Sequence, residues 1–122
     1  MTAQKIYELA SSFLYEIDDE DADSKKFAVG FLNILLMETF PCENSIREFR
    51  GLEPLKEPPM ISSLDEDIPY QPDLTRVALP YGLASWYFQE GMDNFQAENY
   101  RSKYLAAVMD ASKINPGIVE RM

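Results

Sequence analysis

Prolines place the strongest constraint on this chain, because most of them lie in one stretch. Six of the eight fall between residues 41 and 72. Proline has a fixed φ and no backbone N–H, so this stretch is incompatible with a long helix or a central strand. It nevertheless contains too many apolar residues for a wholly disordered segment. We predict an ordered loop or arm over 41–72, with room for a short strand or hairpin near 60–64.

Apolar residues recur with helical spacing on the N-terminal side of this loop. In the first helix they are Ile6, Leu9, Ala10, Phe13, Leu14 and Ile17. Thr2 is placed to cap this helix. A second helix carries a broad apolar arc that includes Phe27, Phe31 and Ile34, which is typical of a central helix packed on two sides. We expect this second helix to end at Pro41.

The C-terminal side of the loop has the same helical character. A third helix follows the prolines, with Asp73 as its candidate N-cap, and Pro80 is expected to kink or restart it. Gly91 ends this helix, and a fourth spans about 92–111. The short joint between them predicts an antiparallel pair. The sequence therefore predicts one all-α domain over 1–122, a compact bundle of about four helices.

The chain lacks the residues on which most enzyme and metal chemistry depends. It contains no histidine and one cysteine, Cys42, which excludes histidine-based catalytic triads and histidine or thiolate metal cages. We expect no enzymatic activity, no cofactor, no metal and no small-molecule substrate. The most apolar stretch, 27–40, is too short to cross a bilayer, so we expect no membrane contact. A single cysteine is consistent with synthesis in a reducing cytoplasm.

The charge is strongly acidic. Eleven basic residues against 21 acidic ones give a formal net charge of -10, which disfavours gripping a phosphate backbone. The negative electrostatic field of such a chain promotes solubility, lets DNA pass without sticking, or attracts a basic partner. The densest acidic run is Asp18, Asp19, Glu20, Asp21 and Asp23. It does not match a calcium loop, because Ser24 and Gly30 stand where glycine and glutamate are required.

Aromatic residues concentrate in the last two predicted helices. They are Tyr81, Trp86, Tyr87, Phe88, Phe95, Tyr100 and Tyr104. Most are expected to pack between the helices, but tyrosine and tryptophan also favour protein interfaces. Tyr87 and Phe95 lie off the predicted core stripe. We therefore predict that they contact another subunit.

Three segments carry a resemblance to a known family. They read SSLDEDIP at 62–69, LPYGLA at 79–84 and DNF at 93–95, and Tyr100 and Tyr104 follow in the last helix. Over roughly residues 60–105 the chain resembles the small helical head-tail connector, or adaptor, proteins of tailed bacteriophages and prophages.

The resemblance implies a structural protein of the virion neck that is synthesised in the bacterial host cytoplasm. Such proteins assemble as a ring under the portal, contact portal and tail or stopper proteins, and surround a channel through which DNA passes without specific binding. The acidic run at 18–23 would line that channel. The proline-rich arm would reach a neighbouring subunit, with Ile61, Leu64 and Ile68 as contact residues.

Two other classes fit the composition. One is an acidic DNA mimic, although a mimic should distribute carboxylates over most of its surface and the last predicted helix is electrically balanced. The other is a regulatory adaptor that binds a partner peptide in a helical groove. Both would act on a basic partner.

Overall fold

A computed structural model describes residues 1–14 and 22–112. Helix α1 spans Ala3–Ser11, α2 spans Ala22–Phe49, α3 spans Leu79–Glu90 and α4 spans Asn94–Ser112. A π-helical segment, Leu74–Ala78, leads directly into α3. The described ranges contain no strand, only a single antiparallel bridge between Thr2 and Asp67. The predicted all-α bundle is thus confirmed, and the predicted strand near 60–64 is not found.

Local signals placed some helix ends correctly and others not. The Thr2 side chain accepts a hydrogen bond from the Lys5 N–H, as predicted for an N-cap. Asp73 makes no such cap, because its own backbone is already helical with φ -53° and ψ -35°, and its carboxylate pairs with Arg50 at 2.8 Å. The π-helical turn lies immediately before Pro80, where the sequence predicted an interruption.

The prediction that Pro41 ends the second helix is wrong. Pro41 lies inside α2, which continues to Phe49. Its ring is exposed, so the proline costs one backbone hydrogen bond without disturbing the core. The two turns beyond it bury Cys42, Glu43 and Ile46. This packing offsets the cost, since tertiary contacts supply most helical stability.

The segment between α2 and the π-helical turn is fixed along α2 by asparagine side chains. The Asn33 amide accepts a hydrogen bond from the Ile61 N–H at 2.9 Å and donates to the Ile61 carbonyl at 3.0 Å. Asn44 makes the same pair with Leu55, at 2.8 and 3.0 Å. Two hydrogen bonds to one residue fix both position and orientation of this segment. It is folded against its own chain and does not project as an arm.

A buried carboxylate holds the end of the same segment. Glu43 is fully buried, and its two oxygens accept hydrogen bonds from Arg47 Nε at 2.6 Å and from the Gln71 N–H at 2.8 Å. Arg47 also donates to the carbonyls of Glu53 and Pro69. Burial is the main cause that raises the pKa of Glu43, and the bonds from Gln71 and Arg47 oppose it.

Helices α3 and α4 form the predicted antiparallel pair, because Gly82 near the start of α3 faces Tyr104 while Phe88 near its end stacks on Tyr100. A Cβ atom at Gly82 would lie 2.8 Å from side-chain atoms of both Leu35 and Tyr104. The absence of a side chain there allows α2, α3 and α4 to approach closely.

We expect Gly82→Ala to lower the free energy of unfolding by about 1–3 kcal/mol, because the added methyl group overpacks the junction. Gly30→Ala is the matched control, since Gly30 is an exposed helical position with no atom within 4 Å of an added Cβ. It should stabilise the chain by about 0.5–1 kcal/mol. Urea unfolding followed by circular dichroism measures both. Equal effects of the two substitutions would contradict close packing at Gly82.

Candidate interaction surface

A row of stacked aromatic rings runs from the surface of α2 to α3. Phe27 is 53% exposed and stacks on Phe31, with ring centroids 6.2 Å apart. Phe31 stacks in turn on Trp86 at 5.2 Å, and the two rings are almost parallel. We call Phe27, Phe31 and Trp86 the aromatic ladder. It forms a continuous apolar surface across two helices.

The ladder ends in a groove of about 500 Å³ between α2, α3 and α4. Its lining residues are Glu38, Ser85, Trp86, Gln89, Asn94, Ala97, Glu98 and Arg101. We call it the α2–α4 groove. The Nε1 atom of Trp86 is buried and has no hydrogen-bond partner within the part of the chain that the structure describes. An unsatisfied buried donor costs about 1–3 kcal/mol, so a ligand acceptor would recover that free energy.

One wall of the groove is held by a polar cluster. Tyr104 donates a hydrogen bond to Glu38 Oε1 at 2.8 Å, and Arg101 pairs with Glu38 Oε2 at 3.3 Å. The guanidinium of Arg101 also lies over the Tyr104 ring, 5.1 Å from its centroid. Burial and the neighbouring carboxylate of Glu38 raise the pKa of Tyr104. Tyr104 therefore stays a neutral donor, and Arg101 is already paired.

The turn between α3 and α4 exposes large apolar side chains next in sequence to Asn94, which lines the groove. Met92 is 86% exposed and Phe95 is 79% exposed. The carboxylates of Glu90, Asp93 and Glu98 lie around them and are also exposed. None of the three forms an ion pair with a residue in the described ranges. Glu98 thus brings unneutralised negative charge into the groove lining, and the adjoining turn adds exposed apolar groups and two further carboxylates.

The backbone of this turn is strained at Met92, whose φ of 61° is in the left-handed region. Asp93 N–H donates to the Phe88 carbonyl and Met92 N–H to that of Gln89, which is the bonding pattern that usually has glycine at the Met92 position. Gly91, one residue earlier, has an ordinary φ of -79°.

We expect Met92→Gly to raise the free energy of unfolding by about 1 kcal/mol, because it relieves left-handed strain at an exposed position. Met109→Gly is the control, as Met109 is also exposed but lies within α4. That substitution should destabilise the chain by about 1 kcal/mol. Thermal and urea unfolding provide the comparison. A loss of stability in Met92→Gly would mean that the Met92 side chain contributes more than its backbone costs.

A second aromatic cluster lies on another part of α4. Phe13, Tyr81 and Phe88 all contact Tyr100, with ring centroids 5.3 to 6.0 Å apart. The Lys103 ammonium group lies 5.9 Å from the ring centroids of both Tyr81 and Tyr100. These residues join the turn after α1 to α3 and α4, so the cluster is explained by packing.

The structure places the predicted contact residues in different environments. Phe95 is exposed, as a contact residue requires. Tyr87 is half-buried, and its hydroxyl donates to the Ser24 carbonyl, so it ties α3 to α2. Ile61, Leu64 and Ile68 are only 4%, 8% and 0% exposed. In this chain their side chains belong to the core, so the structure does not expose them for contact, and their assignment to a subunit interface stays a prediction.

The acidic residues predicted to line a channel fall largely beyond the described ranges. Asp18, Asp19, Glu20 and Asp21 lie outside the described residues. Asp23 is in the first turn of α2, but its side chain is likewise not among those described. The position of this acidic run stays a prediction.

The other reactive side chains serve the fold. Burial is the main cause that raises the pKa of the Cys42 thiol, and Ser112 Oγ lies 3.2 Å from its sulfur. Across residues 1–14 and 22–112 no three histidine, cysteine, aspartate or glutamate residues come together as metal ligands. Within the same ranges, no helix has the length and hydropathy to span a membrane.

Sequence reasoning missed the main feature of this surface. The apolar arc of α2 was expected to pack on two sides, but Phe27, Ile34 and Met37 are 53%, 44% and 62% exposed. The other helices and the segment after α2 cover part of this helix and leave the strip with Phe27, Ile34 and Met37 uncovered. A usable signal was present in the excess of apolar residues in α2 over what one helix face can bury.

Comparison with known proteins gives no relative for this chain: no family model, no curated protein and no solved structure matches it. Its function must therefore be inferred from its own surfaces.

Proposed function

We propose that this chain is a structural virion protein of a tailed bacteriophage or prophage, a head-tail connector that assembles as a ring at the neck under the portal. It works by assembly and catalyses no reaction. The observation that carries this proposal is the amount of large apolar surface left exposed on the helices. On the helices these residues are Leu9, Phe27, Ile34, Met37, Phe49, Val77, Phe95, Leu105 and Met109, and Met92 lies in the turn between α3 and α4. Contiguous exposed apolar patches mark interaction sites.

Their distribution supports contacts in more than one direction. Phe27 and Ile34 lie on α2, Phe95 lies at the start of α4, and Met109 lies near its end. A ring requires two different surfaces on each subunit, so that each copy contacts the next one head to tail. The portal and the tail or stopper proteins are the further partners. The segment after α2 acts within each subunit as a rigid support.

The acidic charge supports the same proposal. With a net charge of -10, the chain repels a phosphate backbone and allows DNA to move past without sticking. We assign the channel-facing surface to the run Asp18, Asp19, Glu20, Asp21 and Asp23. The protein would be made in the host cytoplasm and reside in the virion neck.

Sequencing the DNA on either side of the reading frame tests this proposal. We expect portal and capsid reading frames on one side and tail reading frames on the other. A position among regulatory or host metabolic genes would overturn it. This measurement does not depend on whether the isolated chain forms rings.

Phe95 provides a direct test of assembly. We expect Phe95→Ser to weaken self-association about tenfold, because an aromatic residue that becomes buried on assembly is a typical interface hot spot. Met60→Ser is the control, since Met60 is 78% exposed on the segment after α2. Sedimentation at increasing concentration and electron microscopy of the assemblies measure the effect. Equal assembly of the two variants would remove Phe95 from the interface.

A second candidate function is a regulatory adaptor that binds a basic partner. The exposed carboxylate of Glu98 in the lining of the α2–α4 groove favours it, together with the exposed carboxylates of Glu90 and Asp93 in the adjoining part of the chain. Regulatory neighbours of the gene, together with salt-sensitive binding to a basic protein, would support this alternative over the connector.

A further inference from the structure

We infer that the α2–α4 groove binds a segment of a different protein in which an apolar side chain is flanked by lysine or arginine. This deepens the proposed function, on which it rests, by giving the chemistry of the neighbouring virion protein that the connector contacts.

The shape and lining of the groove account for the apolar part of the segment. Its volume of about 500 Å³ lies within the range of pockets that enclose a ligand. Trp86 and Ala97 contribute apolar surface, and the aromatic ladder extends it to the exposed ring of Phe27. An apolar side chain placed there would cover rings that are now half-exposed.

Trp86 also supplies a specific polar contact. Its Nε1 donor has no partner among the described residues. This atom is itself buried, so the indole must turn toward the groove before a backbone carbonyl of an entering segment can accept its hydrogen bond. Buried tryptophan N–H groups ordinarily have such a partner, so this contact adds orientation to an otherwise apolar site.

The charges around the groove specify the flanks of the segment. Glu98 lines the groove, and Glu90 and Asp93 are the sequence neighbours of the lining residues Gln89 and Asn94. All three are exposed without an ion pair in the described ranges, whereas Arg101, the cation of the lining, is paired with Glu38. Lysine or arginine beside the apolar anchor would neutralise this border and speed association. A second copy is a poorer occupant of this groove, because each copy has 21 acidic and 11 basic residues, and the self-contact proposed for Phe95 uses apolar surface outside the groove lining.

The groove contains its own reporter, because Trp86 is the only tryptophan of the chain. The probe is a synthetic tryptophan-free amphipathic peptide with leucine on one face and lysine on the flanks. The control peptide has glutamate in place of lysine. We expect the lysine peptide to shift the Trp86 emission to shorter wavelength in a saturable manner at physiological salt, and the glutamate peptide to have no effect.

Two pairs of substitutions distinguish an effect of the groove on peptide affinity from an effect of the overall charge of the chain. Glu90→Gln with Glu98→Gln should weaken peptide binding roughly fivefold. Glu48→Gln with Glu57→Gln removes the same charge from exposed positions elsewhere and should leave the affinity unchanged. Trp86→Phe keeps an aromatic ring but removes the N–H, and should weaken binding when it is measured by calorimetry.

Three outcomes would overturn the inference. They are an equal loss of affinity in both pairs, no saturable emission change, and an emission change on concentrating the protein without peptide, which would assign the groove to a second copy. Failure of the inference is distinguishable from failure of the proposed function. If the neighbouring genes are viral but no peptide binds, only the groove assignment is rejected. If the peptide binds but the neighbouring genes are regulatory, only the connector is rejected.

Discussion

Replacing Arg47 with leucine is expected to destabilise the chain by about 3–5 kcal/mol at neutral pH, because the substitution leaves the carboxylate of Glu43 buried without its cation. Glu43 is fully buried, and the side chain of Arg47 is 16% exposed. The same guanidinium binds the carbonyls of Glu53 and Pro69, so its loss also frees the segment after α2. Urea unfolding at pH 7 measures the loss.

The stability loss of Arg47→Leu should also depend on pH in a defined direction. The folded-state pKa of Glu43 is raised above its ordinary value, mainly by burial, while Arg47 lowers it. A raised folded-state pKa means that the stability contributed by this carboxyl is present at low pH and is lost as the pH rises through the folded-state pKa. Removing Arg47 raises that pKa further. The deficit of Arg47→Leu should therefore shrink as the pH is lowered, because Glu43 becomes neutral.

Arg50→Leu is the matched control, since Arg50 pairs with Asp73 at 2.8 Å in a more exposed position. It should cost at most about 1 kcal/mol. A comparable loss in the two variants would show that burial of the Glu43–Arg47 pair has no special role. If the stability lost in Arg47→Leu instead grows as the pH is lowered, the charged form of Glu43 remains favoured without Arg47, which contradicts the prediction.

The helical class could be predicted because it depends on local information. Spacing of apolar residues located α1, α3 and α4, and the Thr2 cap followed from residue preferences. The helix α3 does end before Gly91, but the left-handed position that glycine usually occupies is held by Met92. These signals act within a few residues of one another. The sequence alone is sufficient for them.

The course of the middle of the chain could not be predicted in this way, because distant contacts decide it. Pro41 is a local helix breaker, yet the burial of Ile46 and Glu43 beyond it keeps α2 continuous. The segment after α2 follows the helix because Asn33 and Asn44 hydrogen-bond to its backbone. Asparagine is usually a loop residue, and nothing in its local sequence indicates a partner 28 residues away.

The candidate site was predicted only at Phe95. The groove is formed by side chains from α2, α3 and α4, whose packing angles are not encoded in the spacing of any one helix. The apolar residues of the proline-rich segment could not be assigned for a different reason. Periodicity is absent there, so the sequence does not distinguish side chains that face the core from those that face a partner.

Ile68 resolves that ambiguity experimentally. We expect Ile68→Ala to lower the free energy of unfolding by about 2–5 kcal/mol, because its side chain is fully buried and the substitution leaves a cavity. The backbone on either side is held in place, since Ile68 N–H donates to the Met1 carbonyl and the terminal amine of Met1 pairs with Asp67 at 3.1 Å. The surrounding structure therefore has little freedom to collapse onto the cavity.

Phe95→Ala provides the opposite case, since Phe95 is 79% exposed in the isolated chain. It should change the stability of the dilute monomer by at most about 0.5 kcal/mol. Unfolding of both variants is measured at a concentration where the chain does not self-associate. At that concentration, truncating a core residue lowers the stability of the monomer, whereas truncating an interface residue does not. A near-neutral Ile68→Ala would return Ile68 to the subunit interface, and a destabilised Phe95→Ala would place Phe95 in the core.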